Sequence, residues 1–211
     1  MLQLSKNFGS MAERSRYSIT AKIAGVEGGI LKNKLSIKDQ VMLDDAETLL
    51  LVDAYTHFFG RLKEEGLDFN LPLLFEIHKY FLGTLYSWAG KIRRIDISKD
   101  DILFAPAEYL QNSLTEFERL LYKHIPTATD PKTTIAEKLA FIHNELNALH
   151  PFREGNGRTI RLFLDLLAVQ SGYRPIDWKR VPDKMYIDAC KLGMRKEHSA
   201  MKKIIFKGLS R

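Results

Sequence analysis

Apolar residues recur along most of this chain at spacings of three and four. The spacing predicts helices near 39–59 (Val41, Leu49, Val52, Phe59), 71–87 (Leu74, Ile77, Phe81, Leu85) and 107–123 (Leu110, Leu114, Phe117, Leu121). A fourth helix is predicted over 134–149, where Thr134 and Glu137 have the spacing of a capping box and Ile135, Leu139, Ile142, Leu146 and Leu149 follow as a stripe. A fifth begins near Gly157, runs through Ile160, Phe163, Leu164 and Leu167, and ends at Gly172. It is apolar on nearly all sides and is therefore expected at the centre.

Residues 91–105 break the pattern. Ile95 and Ile97, then Ile102 and Phe104, alternate with polar residues around the polar centre from Ser98 to Asp101, the signature of a β-hairpin. A lone hairpin in a helical chain keeps an edge that another extended segment can join. The expected fold class is mainly α with one β-hairpin.

The length of 211 residues, 45% apolar and 27% charged, suits one domain, and no repeat or linker divides it. A single cysteine, Cys190, excludes an internal disulfide and suits a reducing, cytoplasmic setting, and equally an exported protein without disulfides that is delivered into another cell. Residues 1–10 lack the apolar stretch of a secretory signal, and no run is long enough to span a membrane. Residues 184–211 carry eight Lys/Arg against Asp188 and Glu197, which accounts for the whole net charge of +6. That end is read as a solvated basic helix rather than as a nucleic-acid contact.

The densest chemistry lies between the last two predicted helices, in His150-Pro151-Phe152-Arg153-Glu154-Gly155-Asn156-Gly157-Arg158-Thr159-Ile160-Arg161. Pro151 disfavours helix at His150, which leaves the imidazole at the helix mouth. Gly155 and Gly157 permit positive φ and close approach to a ligand, and the helix that follows opens with outward N–H groups at its positive dipole end. Arg158 and Arg161, three residues apart, add two guanidinium groups to the same helix start. Phosphates fit such a site. Glu154 would oppose them unless a cation intervenes, and one carboxylate beside phosphate oxygens is a usual way to hold Mg2+. His150 suits a general base. Phe152 is expected to point into the core and fix the loop. Gly-rich nucleotide motifs of the P-loop and dinucleotide-binding kinds are absent, and His143 to His150 lacks the spacing of a zinc protease.

These twelve residues resemble the Fic family motif, His-x-Phe-x-Asp/Glu-Gly-Asn-Gly-Arg-x-x-Arg, at every defined position. The resemblance continues through Trp88-Ala89-Gly90-Lys91-Ile92-Arg93 and Ile97-Ser98-Lys99, and covers roughly residues 40–180. On that reading 1–211 is a single Fic-like domain with an N-terminal extension at 1–39 and a basic segment at 184–211. The resemblance implies a helical bundle whose hairpin is a flap over the active-site loop, and transfer of AMP from ATP to a Ser, Thr or Tyr hydroxyl of a target protein. His150 would be the base and Glu154 would hold Mg2+. Gly155, Asn156 and Gly157 would bind phosphates through backbone and amide donors, with Arg158 and Arg161 on the β and γ groups and Phe152 anchoring the loop. Ile97, Lys99, Ile102 and Phe104 of the flap would dock an extended target segment.

Many family members are silenced by a helix bearing Ser/Thr-x-x-x-Glu-Gly/Asn. The nearest match is Ile23-Ala-Gly-Val-Glu27-Gly28, where Ile23 replaces the hydroxyl residue and Gly25 weakens a helix by about 1 kcal/mol. These departures weaken the match; Glu27, paired with Arg161, is a candidate inhibitor, and a separate antitoxin-like protein or no inhibitor at all are the alternatives. Rival readings are transfer of UMP or of the γ-phosphate on the same fold, and a non-catalytic, nucleotide-regulated binding module.

Overall fold

A computed structural model describes residues 18–19, 26–27, 29–99 and 102–211; at Ser18, Ile19 and Glu27 the description is of the backbone alone. Three short strands come first, β1 (Ser18–Ile19), β2 (Val26–Glu27) and β3 (Ile30–Leu31). Helices α1 (Gln40–Glu64) and α2 (Leu71–Leu82) follow, then strands β4 (Ile97–Lys99) and β5 (Ile102–Leu103). The rest is helical: α3 (Leu110–His124), α4 (Lys132–Leu149), α5 (Asn156–Gln170), α6 (Asp183–Met194) and α7 (Ser199–Gly208). The fold is mainly α with a small hairpin, as the periodicity implies.

Helices α4 and α5 form the centre: α4 packs against α3, α5, α6 and α7, and α5 against α1 and α2 as well. Helix α5 is buried on nearly every side, from Ile160 through Ala168. It stops at Ser171, and Gly172 takes the left-handed φ of +84° that glycine adopts after a helix. The stripes read for α2 and α3 are the buried ones, since Leu74, Ile77, Phe81, Leu85, Leu110, Leu114, Phe117 and Leu121 are all in the core.

Helix α1 faces the core differently. Val41 and Leu49 are 67% and 72% exposed, while Leu43, Glu47, Leu51, Ala54 and Phe58 face inward. Its start is capped by Asp39, whose Oδ1 accepts the Met42 N–H at 2.9 Å. Helix α4 begins two residues before the proposed capping box, at Lys132 after Pro131, with no side-chain cap. Glu137 instead pairs with Lys202 of α7 at 2.6 Å.

The basic C-terminal segment is not a solvated helix but two helices that complete the core. Met201, Ile204, Ile205 and Leu209 are buried, and a Cβ at Gly208 would stand 2.7 Å from Ile176 Cγ2. The lysines occupy the outer face.

Strands β4 and β5 pair antiparallel, Ser98 opposite Leu103 and Lys99 opposite Ile102, in a shorter hairpin than 91–105. The hairpin also has a neighbour: β1 joins β4 with Ser18 opposite Ser98 and Ile19 opposite Ile97, so β5 forms the sheet's other edge. Strands β2 and β3 form a separate ribbon around Gly29, which has φ +83°. Glu27 therefore stands in a strand, not in a helix; its side chain and residues 23–25 lie outside the described residues. Among the described residues no helix is long and apolar enough to cross a membrane.

Candidate active site

Helix α4 ends where Pro151 requires it to, and His150 adopts a left-handed backbone, φ 47° and ψ 60°. The imidazole is 4% exposed and stacked on Phe104 from the hairpin, centroids 3.8 Å apart. Its Nδ1 lies 2.9 Å from the Asn147 carbonyl, which can only accept, so the proton sits on Nδ1 and the lone pair on Nε2. Burial, with Arg93 and Lys99 adding to it, pushes His150 down to about 3 and keeps it neutral.

Arg93 ties the hairpin to this turn. Its guanidinium is buried and donates to the carbonyls of His150 (2.8 Å), Ile95 (2.7 Å), Leu149 (3.3 Å) and Ala105, while its N–H donates to Pro151 O at 2.9 Å. Phe104 thereby reaches His150. Ile97 is buried, Ile102 half-buried, and the Lys99 charge is felt at both His150 and Glu154.

Phe152 is fully buried, stacked on His78 of α2 at 3.7 Å and edge-on to Phe75 at 5.0 Å. Asn156 closes the loop: Oδ1 accepts from Phe152 N–H at 2.8 Å and Nδ2 donates to Phe152 O at 2.7 Å. Its side-chain amide thus serves the loop, and its backbone N–H is what the helix start offers outward. His78, burial-shifted to about 4 and neutral, donates from Nε2 to Glu154 O at 2.9 Å and accepts the Gly90 N–H on Nδ1.

Gly155 needs to be glycine twice over, with φ +79° and space for a Cβ filled by Leu82 Cδ1 at 2.7 Å. Gly157 lies inside the first helical turn with negative φ, so its value is its lack of bulk at the helix mouth. The first intrahelical bond is Thr159 N–H to Gly155 O at 3.0 Å, so the N–H groups of Asn156, Gly157 and Arg158 belong to the outward-pointing helix start.

Glu154 is 7% exposed and accepts the Gly155 N–H at 2.9 Å. Burial raises it to about 7, with Glu47 adding to the rise and Arg158 opposing it. A buried oxygen ligand that ionises reluctantly fits a divalent cation that would replace its lost hydration. Among the described residues no cluster of three or more His, Cys, Asp or Glu could hold a metal. Such an ion would need phosphate oxygens to complete its shell.

The two arginines share the helix start but lean apart. Arg158 crosses to α1, where Nη1 meets Glu47 Oε2 at 2.6 Å, while Nη2 stands 3.8 Å from Glu154 Oε1. Arg161, 6% exposed, faces Tyr186 of α6, whose hydroxyl is 3.4 Å from Nη1 and also 2.9 Å from His143 Nε2. Sequence reasoning missed Glu47, His78, Tyr86 and Tyr186, which lie on other helices or in connecting segments far along the chain, and gave His143, on α4 itself, no place in the site. Arg93 entered it only as part of the upstream motif.

Residues 68–168 match the model of the Fic/DOC family. Protein adenylyltransferase VbhT of Bartonella schoenbuchensis is 39% identical over 157 residues, 74% of this chain and 32% of that protein, so the chain spans about a third of its length. Probable protein adenylyltransferase y4lH of Sinorhizobium fredii is 32% identical over 76% of this chain and 81% of its own length. Among solved structures, the VirB-translocated effector BepC of Bartonella tribocorum, with bound AMPPNP, has a TM-score of 0.70 at 24% identity, covering 85% of this chain and 92% of that one, a likeness of fold.

Proposed function

The chain belongs to the Fic/DOC family, and we propose that it is a nucleotidyltransferase that moves AMP from ATP to a hydroxyl side chain of a target protein. The observation that carries this reading is a neutral, buried imidazole, lone pair on Nε2, held by Arg93 and Phe104 against a glycine-containing helix start. The adenylyltransferase names of the relatives support it, as does the nucleotide bound by BepC.

In the proposed reaction the target hydroxyl gives its proton to His150 Nε2 as its oxygen bonds to the α-phosphorus. The bond from that phosphorus to the bridging oxygen breaks, and pyrophosphate leaves. The N–H groups of Asn156, Gly157 and Arg158, with the two guanidinium groups, hold the β- and γ-phosphates where charge accumulates. Glu154 is the residue that would hold Mg2+, which when bound supplies charge neutralisation at the phosphates.

The flap is the proposed docking strand, with Ile97, Lys99, Ile102 and Phe104 at its positions. Because β1 pairs with β4, an incoming strand would add to the β5 edge. Glu27 in a strand favours inhibition by a separate protein over an internal helix. A single-cysteine chain suits action in the cytoplasm.

The test is transfer from ATP in a cell lysate with Mg2+, using α- and γ-labelled nucleotide in parallel. Label should enter protein only from the α position. His150→Ala should abolish it while ATP binding persists. Retention of γ label alone would overturn the proposal, and full activity of the variant would remove His150 as the base.

A further inference from the structure

Glu47 lies outside the matched residues 68–168, on a helix whose stripe is otherwise apolar, and is 7% exposed. A carboxylate in that position is costly unless its charge has partners. It has two: Oε1 accepts the Tyr86 hydroxyl at 2.5 Å and Oε2 accepts Arg158 Nη1 at 2.6 Å. Tyr86 is itself stacked on Trp88, centroids 4.5 Å apart, so the carboxylate is fixed from behind.

The arginine is thereby oriented. Phe81 lies 5.0 Å beneath the guanidinium and sets its plane, Glu47 holds the Nη1 end, and the Nη2 end is turned toward Glu154, 3.8 Å away and beyond hydrogen-bond length. A long side chain ordered before a ligand arrives loses no further rotamer entropy on binding it. A planar fork with its direction set also matches phosphate oxygens better than a mobile one does.

We infer that Glu47 is a positioning residue that presents Arg158 to the β- and γ-phosphates of the nucleotide; this rests on the proposed nucleotide site. Tyr86 serves the same purpose one step further back. The role differs from bulk structural support because it depends on how many phosphates the ligand carries.

The test is calorimetric titration of the full chain and its variants with ATP, ADP and AMP, all with excess Mg2+. Glu47→Ala should weaken ATP and ADP about tenfold, the scale of one charge-assisted hydrogen bond, and AMP less than twofold. Glu47→Gln keeps an oxygen toward Arg158 and should recover part of the loss. If Glu47→Ala does not fold, Glu47→Gln and Tyr86→Phe carry the same comparison. Binding of ATP within twofold of the parent by Glu47→Ala or, where that variant does not fold, by both Glu47→Gln and Tyr86→Phe, or equal weakening of all three nucleotides, overturns the inference while leaving the proposed function intact. A parent chain that binds none of them overturns both.

Discussion

Replacing Glu154 by glutamine should stabilise the ligand-free protein, and the gain should depend on pH. The carboxyl has an ordinary value of 4.5 and a folded value of about 7, because burial outweighs Arg158 and the Gly155 N–H. Below pH 4.5 it is protonated whether the chain is folded or not, and it exerts no penalty. As pH rises, the unfolded chain loses this proton first, so the folded state falls behind until both forms are ionised above pH 7. A gap of about 2.5 pH units at 1.36 kcal/mol each amounts to about 3 kcal/mol. Glutamine has nearly the same shape, retains an acceptor for Gly155 N–H, and does not titrate. Urea unfolding of parent and Glu154→Gln at pH 4, 6 and 8, without nucleotide or metal, reads the difference directly. Asp165, likewise raised to about 7 by burial, is common to both proteins and cancels in that difference. The variant should match the parent at pH 4 and exceed it by up to about 3 kcal/mol at pH 8. A difference that stays constant with pH, or a variant less stable at pH 8, would refute the reasoning. Saturating Mg2+ and ATP should favour the parent again, since its charged carboxylate holds the cation more strongly than a neutral amide oxygen does.

Arg93→Met removes a guanidinium that satisfies four carbonyls at the junction of hairpin and active-site turn, and should cost at least about 3 kcal/mol in chemical unfolding; a loss under about 1 kcal/mol would show that the clamp is dispensable. Gly155→Ala and Gly172→Ala form a pair, since both positions have φ near +80° but only at Gly155 does a Cβ meet a neighbour, Leu82 Cδ1 at 2.7 Å. The shared backbone strain of about 1–2 kcal/mol should be the whole effect at Gly172, while Gly155 should lose about 1–3 kcal/mol more; equal melting temperatures would disprove the close contact.

What could be read from the chain was what is contiguous in it. The dozen residues from His150 to Arg161 carry the turn, the helix start and most of the charged groups, and proline and glycine mark their boundaries through backbone rules that need no tertiary information. The stripes of α2 and α3 were equally plain, because most of the Leu, Ile and Phe there fall on one buried face, with Leu120 the exposed exception. The third strand of the hairpin sheet was not, since β1 is two residues long and its partner lies some eighty residues away. Nor was the burial of α7, where lysines on the outer face dominate the composition and conceal the inward row of Met201, Ile204 and Ile205.

Helix α1 is the case in which a local ambiguity hid a functional side chain. Its central stretch, Thr48 to Ala54, holds Leu49, Leu50, Leu51 and Val52 in succession, so a stripe can be drawn through Leu49 and Val52 or through Leu51 and Ala54 with equal regularity. Periodicity alone does not choose between them. The second choice carries the stripe back through Glu47 to Leu43, and places an acidic residue among buried positions. That looks like an argument against it, because a carboxylate is rarely buried without a partner. The loop supplies that partner: two arginines at a helix start need anionic company in a ligand-free fold, and Glu154 stands 3.8 Å from Arg158, too far to hydrogen-bond it. An acid at the wrong place in an apolar stripe was the visible trace of Arg158's partner.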